Sequence, residues 1–145
     1  MLSKNELNTL LDETPVARLA TIGIKGPHIV PVVFVRAEKQ IVIPIDGKPK
    51  KGKTLQRELN IERNPNVSLL IDHYETDWSK LWWVRIDAQA VRIDLDSSSL
   101  IHLQSKYVNY RSLVEPGEFG FRLTIKHVAT WTSEPKKPNF SIPET

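Results

Sequence analysis

Cysteine is absent from the 145 residues, which excludes a disulfide framework, a thiolate metal site and a cysteine nucleophile, and agrees with a reducing compartment. The four histidines, His28, His73, His102 and His127, show no paired ligand spacing, so no metal site is expected. No apolar run approaches the roughly 18 residues that a membrane helix needs. The opening Met1-Leu2-Ser3-Lys4-Asn5-Glu6 lacks the charged-then-apolar pattern of a signal, and the expectation is a cytoplasmic protein. No Ser-His-Asp or paired-carboxylate arrangement can be argued, so a hydrolase is not indicated.

Positive charge is unevenly placed. Six basic residues (Lys48, Lys50, Lys51, Lys53, Arg57 and Arg63) stand against Glu58 and Glu62 between positions 48 and 63, while the whole chain carries only +3. The rest of the chain is therefore slightly acidic. A concentrated basic patch on a near-neutral body points to an anionic ligand more than to general coating of nucleic acid.

Ser3-Lys4-Asn5-Glu6 has the form of a capping box, and Leu7, Leu10 and Leu11 follow at helical spacing, which predicts a helix over Lys4–Glu13 stopped by Pro15. Strands are predicted over Ala17–Ile24, His28–Arg36, Gln40–Ile45, Val67–Asp72, Leu81–Ile93 and Phe119–Thr130. Pro31 cannot donate to a ladder and belongs at an edge, at a bulge or beside a ligand. Further helices are predicted over Lys53–Arg63 and from an N-cap among Asp94–Ser99 to about Tyr110. Strands joined by tight turns, with few crossover helices, favour a mainly β fold with flanking helices, a six-stranded antiparallel barrel, over a doubly wound parallel sheet. Residues 1–132 are expected to form a single domain, and the proline-rich stretch 133–145 an extended or disordered tail.

The strongest chemical signal is Gly47-Lys48-Pro49-Lys50-Lys51 leading into a helix. Glycine backbone donors and lysine charge together suit a phosphate, although a solvated basic loop has the same composition. The spacing Gly47 to Gly52-Lys53-Thr54 meets the formal nucleotide-loop pattern, but the long following helix and parallel sheet that such a loop requires are missing. The second signal is Trp78, Trp82 and Trp83 within six positions, followed by Arg85. Aromatic faces suit an isoalloxazine-type ring and Arg85 an anion, while core and interface packing would explain Trp82 and Trp83 equally well. His73 could bond a ligand, but a structural histidine is the commoner case.

Several segments resemble one family. Ala17–Ile24, His28-Ile29-Val30-Pro31-Val32-Val33-Phe34, Ile43-Pro44-Ile45-Asp46-Gly47-Lys48-Pro49-Lys50 and Asn60–Leu70, with its Asn64-Pro65-Asn66-Val67-Ser68, are similar to the pyridoxamine 5'-phosphate oxidase-like split barrels. Asp72-His73-Tyr74, Asp77-Trp78, Leu81-Trp82-Trp83-Val84-Arg85 and Trp131 resemble more specifically the subgroup of enzymes using the deazaflavin coenzyme F420. The resemblance implies a six-stranded split barrel and a homodimer with FMN or F420 at the subunit interface. Lys48, Lys50 and Lys51 would hold the phosphate, Ile45 and Asp46 the ring or ribityl chain, Trp82 and Trp83 would face it across the site, and Pro31, Val32 and Val33 would supply backbone at the ring edge. The C-terminal arginine motif of the true vitamin B6 oxidases is not recognisable in Thr130–Lys137, so that activity is not expected. An oxidoreductase passing hydride from F420 or FMN to a small substrate leads. A non-catalytic flavin- or heme-type binding protein on the same barrel is the alternative, and a nucleic-acid-binding barrel ranks last because the aromatics are not interleaved with the basic patch.

Overall fold

The structure is a computed structural model that describes residues 2–46, 54–112 and 116–133. The first helix, α1 (Lys4–Glu13), forms over the expected residues. The Ser3 hydroxyl accepts the Glu6 N–H at 3.1 Å, and the Glu6 carboxylate accepts the Ser3 N–H at 3.0 Å. Two donors that helix geometry leaves orphaned are satisfied, while Leu10 and Leu11 enter the core.

Among the described residues seven strands follow, one more than expected: β1 (Ala17–Gly23), β2 (Gly26–Val32), β3 (Val35–Ala37), β4 (Gln40–Asp46), β5 (Asn66–His73), β6 (Trp82–Asp94) and β7 (Pro116–Thr132). The extra strand arises because the predicted stretch His28–Arg36 divides at Val33–Phe34: its first part pairs with β1, its last with β4. All pairs are antiparallel, in one sheet of order β2-β1-β5-β6-β7-β4-β3. That order forces closure. In a flat sheet the two outermost of seven strands would lie about 29 Å apart, whereas β2 and β3 are joined by two residues, a reach of about 11 Å from Val32 to Val35. The sheet must curl until its ends meet, which makes it a barrel with a seam at Val33–Phe34.

Residues alternate across the sheet as a barrel requires. Leu19, Leu69, Val84, Ile86 and Leu123 point inward with Phe34 and Trp82, all within the main core. The helices α2 (Gln56–Arg63), α3 (Ser97–Lys106) and α4 (Asn109–Ser112) complete the fold. Helix α3 stops before the expected Tyr110 because Tyr107 leaves helical geometry (φ −121°, ψ 111°) to serve the seam. Among the described residues no helix is long and apolar enough to cross a membrane. Ser133 is tied to the residue before β6, its N–H donating to the Leu81 carbonyl at 3.0 Å; the remainder of the expected tail, 134–145, lies outside the described residues.

Glycine allows β4 and β7 to approach closely. A Cβ on Gly120 would lie 2.5 Å from the Ile43 carbonyl oxygen, against backbone that cannot swing away. Gly120→Ala is therefore expected to destabilise the fold by about 1–3 kcal/mol, read as a lower urea midpoint at unchanged m-value.

Candidate functional site

The ladder between β3 and β4 runs from Ala37↔Gln40 to Val35↔Val42 and ends there. Beyond it the two strands part: residues up to Val32 belong to β2 and pair with β1, while β4 continues to Asp46 beside β7. The result is a fork with its crotch at Val35↔Val42. Pro31, Val32 and Val33 lie along one arm, and Ile45 and Asp46 along the other. The two stretches that the resemblance assigns to one site thus stand on the two sides of this split. The arm of β4 leads directly into the basic loop, where Lys48, Lys50 and Lys51 lie outside the described residues. Pro31 is exposed on β2, the last strand in the sheet order, where a missing donor can face away from the ladder. Val32 and Ile45 turn their side chains into the core, at 7% and 5% exposure, so at these positions only the backbone faces the opening.

The crotch is fastened from the side by α3. Lys106 Nζ donates to the Leu11 carbonyl at 2.8 Å and to the Phe34 carbonyl at 2.9 Å, and lies 3.6 Å from the Phe34 ring centroid. Tyr107 Oη accepts the Phe34 N–H at 3.1 Å and points its own O–H at the carbonyls of Phe34 (2.9 Å) and Pro15 (3.0 Å). Phe34 belongs to no strand, so without these partners its peptide groups would be buried unpaired. Arg36 and Asp12 add a two-bond clamp between β3 and α1, at 2.9 and 2.8 Å.

Burial pushes the Lys106 ammonium down to about 7, against the pull of Asp12, and pushes the Tyr107 phenol up to about 12. Between about pH 7 and 10.5 the unfolded chain carries a Lys106 proton that the folded chain has released, so this group makes stability rise with pH across that window. Above pH 10 the unfolded chain loses the Tyr107 proton that the folded chain keeps until about 12, so stability then falls. Urea midpoints from pH 6.5 to 10 are expected to climb in the wild type and to climb less in Lys106→Met.

Helix α2 is anchored by a buried polar chain. The Asn60 amide N–H donates to Thr21 Oγ1 at 2.9 Å, and Asn60 Oδ1 accepts from Gln56 at 2.8 Å. Asn60 and Thr21 are 2% and 1% exposed. This bond fixes the helix that follows the basic loop against β1.

The tryptophans separate. Adjacent strand residues point to opposite faces, so Trp82 and Trp83 cannot face one ring together within a chain. Trp82 fills the core at 1% exposure, with His73 stacked on it at 6.4 Å between centroids, and the His73 ring bonds Glu75. The half-buried Trp83 stands on the outer face beside Trp131 and Asp72, its cross-strand neighbours. That outer face carries Pro31, Arg18, Leu70, Arg85 and Ala129 in one register row across five strands. It carries two ion pairs, Arg18 with Asp72 and Arg85 with Asp87, each at 3.1 Å. Ser68 donates to Asp87 at 2.8 Å and, with Arg85, lowers its pKa. Trp78, the tryptophan least explained by a core, is 76% exposed.

Sequence reasoning missed Lys106 and the Asn60–Thr21 pair. Tyr107 was legible only as an apolar position of a helix, and Lys106 as an ordinary C-terminal cation.

A closed antiparallel barrel, split where β2 and β4 part and flanked by helices, is the split-barrel fold. Residues 3–132 match the family described as pyridoxamine 5'-phosphate oxidase, and the chain belongs to that family. Solved structures agree on the fold. A conserved hypothetical protein of Mycobacterium tuberculosis is 20% identical with a TM-score of 0.70, covering 100% of this chain and 94% of its own. The heme storage protein HutZ of Vibrio cholerae is 19% identical, TM-score 0.65, covering 91% and 95%. An FAD-binding protein of Mesorhizobium loti is 20% identical, TM-score 0.62, covering 89% and 94%. No curated protein matches the chain.

Proposed function

We propose that this chain is an oxidoreductase that binds FMN or coenzyme F420 at the fork and passes hydride to a small substrate. The observation that carries this reading is that β2 and β4 part beyond Val35↔Val42, with Pro31–Val33 on one side of the split and Ile45–Asp46 on the other, and that the basic loop follows β4 in the chain. Lys48 and Lys50, with Lys51 beside them, would hold the phosphate; the backbone of the two arms would meet the ring edge and the ribityl chain. A flavin-type group supplies the hydride chemistry when bound, while the protein contributes binding, orientation and exclusion of water.

The outer face supports a homodimer. Leu70, Trp83, Trp131 and the exposed Ile22 and Ile29 lie on it beside two ion pairs made within the chain, Arg18–Asp72 and Arg85–Asp87, so a second copy could cover this part without stranding those charges. Trp83 would then reach a cofactor only across the subunit boundary. A cytoplasmic location fits a cysteine-free chain using a diffusible reduced cofactor.

The second reading is a non-catalytic flavin- or heme-binding protein, favoured by the FAD-binding and heme storage proteins among the similar structures. Titration of the purified protein with FMN, F420 and hemin, followed by tryptophan quenching, separates the two. Micromolar binding of FMN or F420 with turnover in the presence of an electron donor and acceptor is the expected result. Binding without turnover favours the second reading, and binding of none of the three sinks both.

A further inference from the structure

We propose that Asn60 is a positioning residue for the phosphate of the bound cofactor: held between Thr21 on β1 and Gln56 at the start of α2, it fixes where the basic loop ends. The inference rests on the functional reading above, which assigns the cofactor, and it adds a residue outside both the loop and the two arms of the fork. Whatever path residues 47–53 take, their ends are set by their neighbours. On one side β4 runs to Asp46, which pairs with Pro116 on β7. On the other stand Thr54 and Leu55, and Leu55 packs on the main core.

Helix α2 has only eight residues, too few to be stable in isolation, so its place depends on what it is bonded to. Towards its far end Ile61 is buried in the core. At its near end the Gln56 side chain donates to Asn60 Oδ1 at 2.8 Å, and the Asn60 amide donates in turn to Thr21 Oγ1 at 2.9 Å. Asn60 and Thr21 are both buried, so an amide left unpaired there would bear the full cost of its desolvation. The end of β1 is shaped to that amide: a Cβ on Gly23 would lie 3.1 Å from Asn60 Oδ1 and 3.3 Å from Nδ2. The first residue of α2 is thus tied, through one buried side chain, to a strand of the barrel wall. The positive end of α2 is countered by its own carboxylate, Glu58 accepting the Leu55 N–H at 2.7 Å. A phosphate beside it therefore depends on the lysine side chains of the loop, and these converge on one point only while both ends of the loop are in place. Where α2 is seated for only part of the time, the apparent affinity for the phosphate falls with the seated fraction. Contacts of the two arms with the ring are not changed by this.

The experiment compares each phosphate-bearing cofactor with its phosphate-free counterpart, FMN with riboflavin and F420 with its ribityl deazaflavin core, by fluorescence titration of the full chain. The ratio of the two dissociation constants reads the phosphate alone. Thr21→Val keeps the shape of the side chain and removes the acceptor, whereas Thr21→Ser keeps the acceptor. In Thr21→Val the advantage of the phosphate-bearing partner is expected to shrink by about fivefold or more, and in Thr21→Ser to stay at the wild-type level. A loss of stability alone would weaken both partners alike and leave the ratio where it was. Gln56→Met, at an exposed position, removes the other bond and is expected to reduce the same ratio; it carries the test if Thr21→Val does not fold. A ratio unchanged in the variants overturns the proposal and leaves the cofactor reading standing. Wild-type protein that binds the phosphate-bearing and phosphate-free partners equally also overturns it, by taking the phosphate out of the loop. Binding of none of the four defeats the functional reading and the proposal together.

Discussion

Lys48→Ala combined with Lys50→Ala is expected to weaken FMN or F420 binding by about a hundredfold or more. Each charge-assisted hydrogen bond to a phosphate contributes roughly 1.5–3 kcal/mol, and about 1.4 kcal/mol is a factor of ten. Fold stability should be unaffected, because neither lysine is expected to enter the core. A fluorescence titration beside a urea melt separates the two effects. Affinity should also fall with added salt in the wild type and less in the double variant, since screening acts on the charges removed. Equal affinity in the two proteins would take these lysines out of the site and leave the basic loop as a solvated one.

The largest expected effect on stability is at Phe34, which is fully buried in the main core. Phe34→Ala is expected to cost about 3–5 kcal/mol, the usual loss for an aromatic truncated in a packed interior. The ring is also the surface on which Lys106 rests, so the variant leaves a buried cation without its apolar support. Phe34→Leu should recover much of the packing but not the ring contact. Urea denaturation of the three proteins at pH 6.5 and pH 9 reads both contributions. A loss below about 1 kcal/mol in Phe34→Ala would mean that the seam is not held through this residue, since the expected cavity cost alone exceeds that figure.

The strands and helices were largely legible because each rests on local chemistry. The capping box at Ser3 and Glu6 and the alternation in β6 needed nothing beyond the sequence. The division of His28–Arg36 was not legible, because every residue in it favours extended structure and only the choice of partner strand breaks it at Val33–Phe34. The same limit applies to the tryptophans. Three aromatics within six positions suggest one ring-binding face, yet the pleat sends Trp82 inward and Trp83 outward, and the sheet decides which side is the core.

The sequence by itself determined the class of fold, the place of the turns and the concentration of positive charge after β4, since these depend on spacing, side-chain shape and backbone freedom within a few residues. Only the tertiary structure decided that β2 and β4 part at Val33–Phe34, with Pro31–Val33 and Ile45–Asp46 on either side, and that Lys106, more than seventy residues beyond Phe34 in sequence, bonds the seam. The physical reason is closure. A sheet whose outermost strands are joined by two residues must curl, and curling leaves peptide groups at the seam that no ladder can satisfy, so side chains from distant helices are drawn in to bond them.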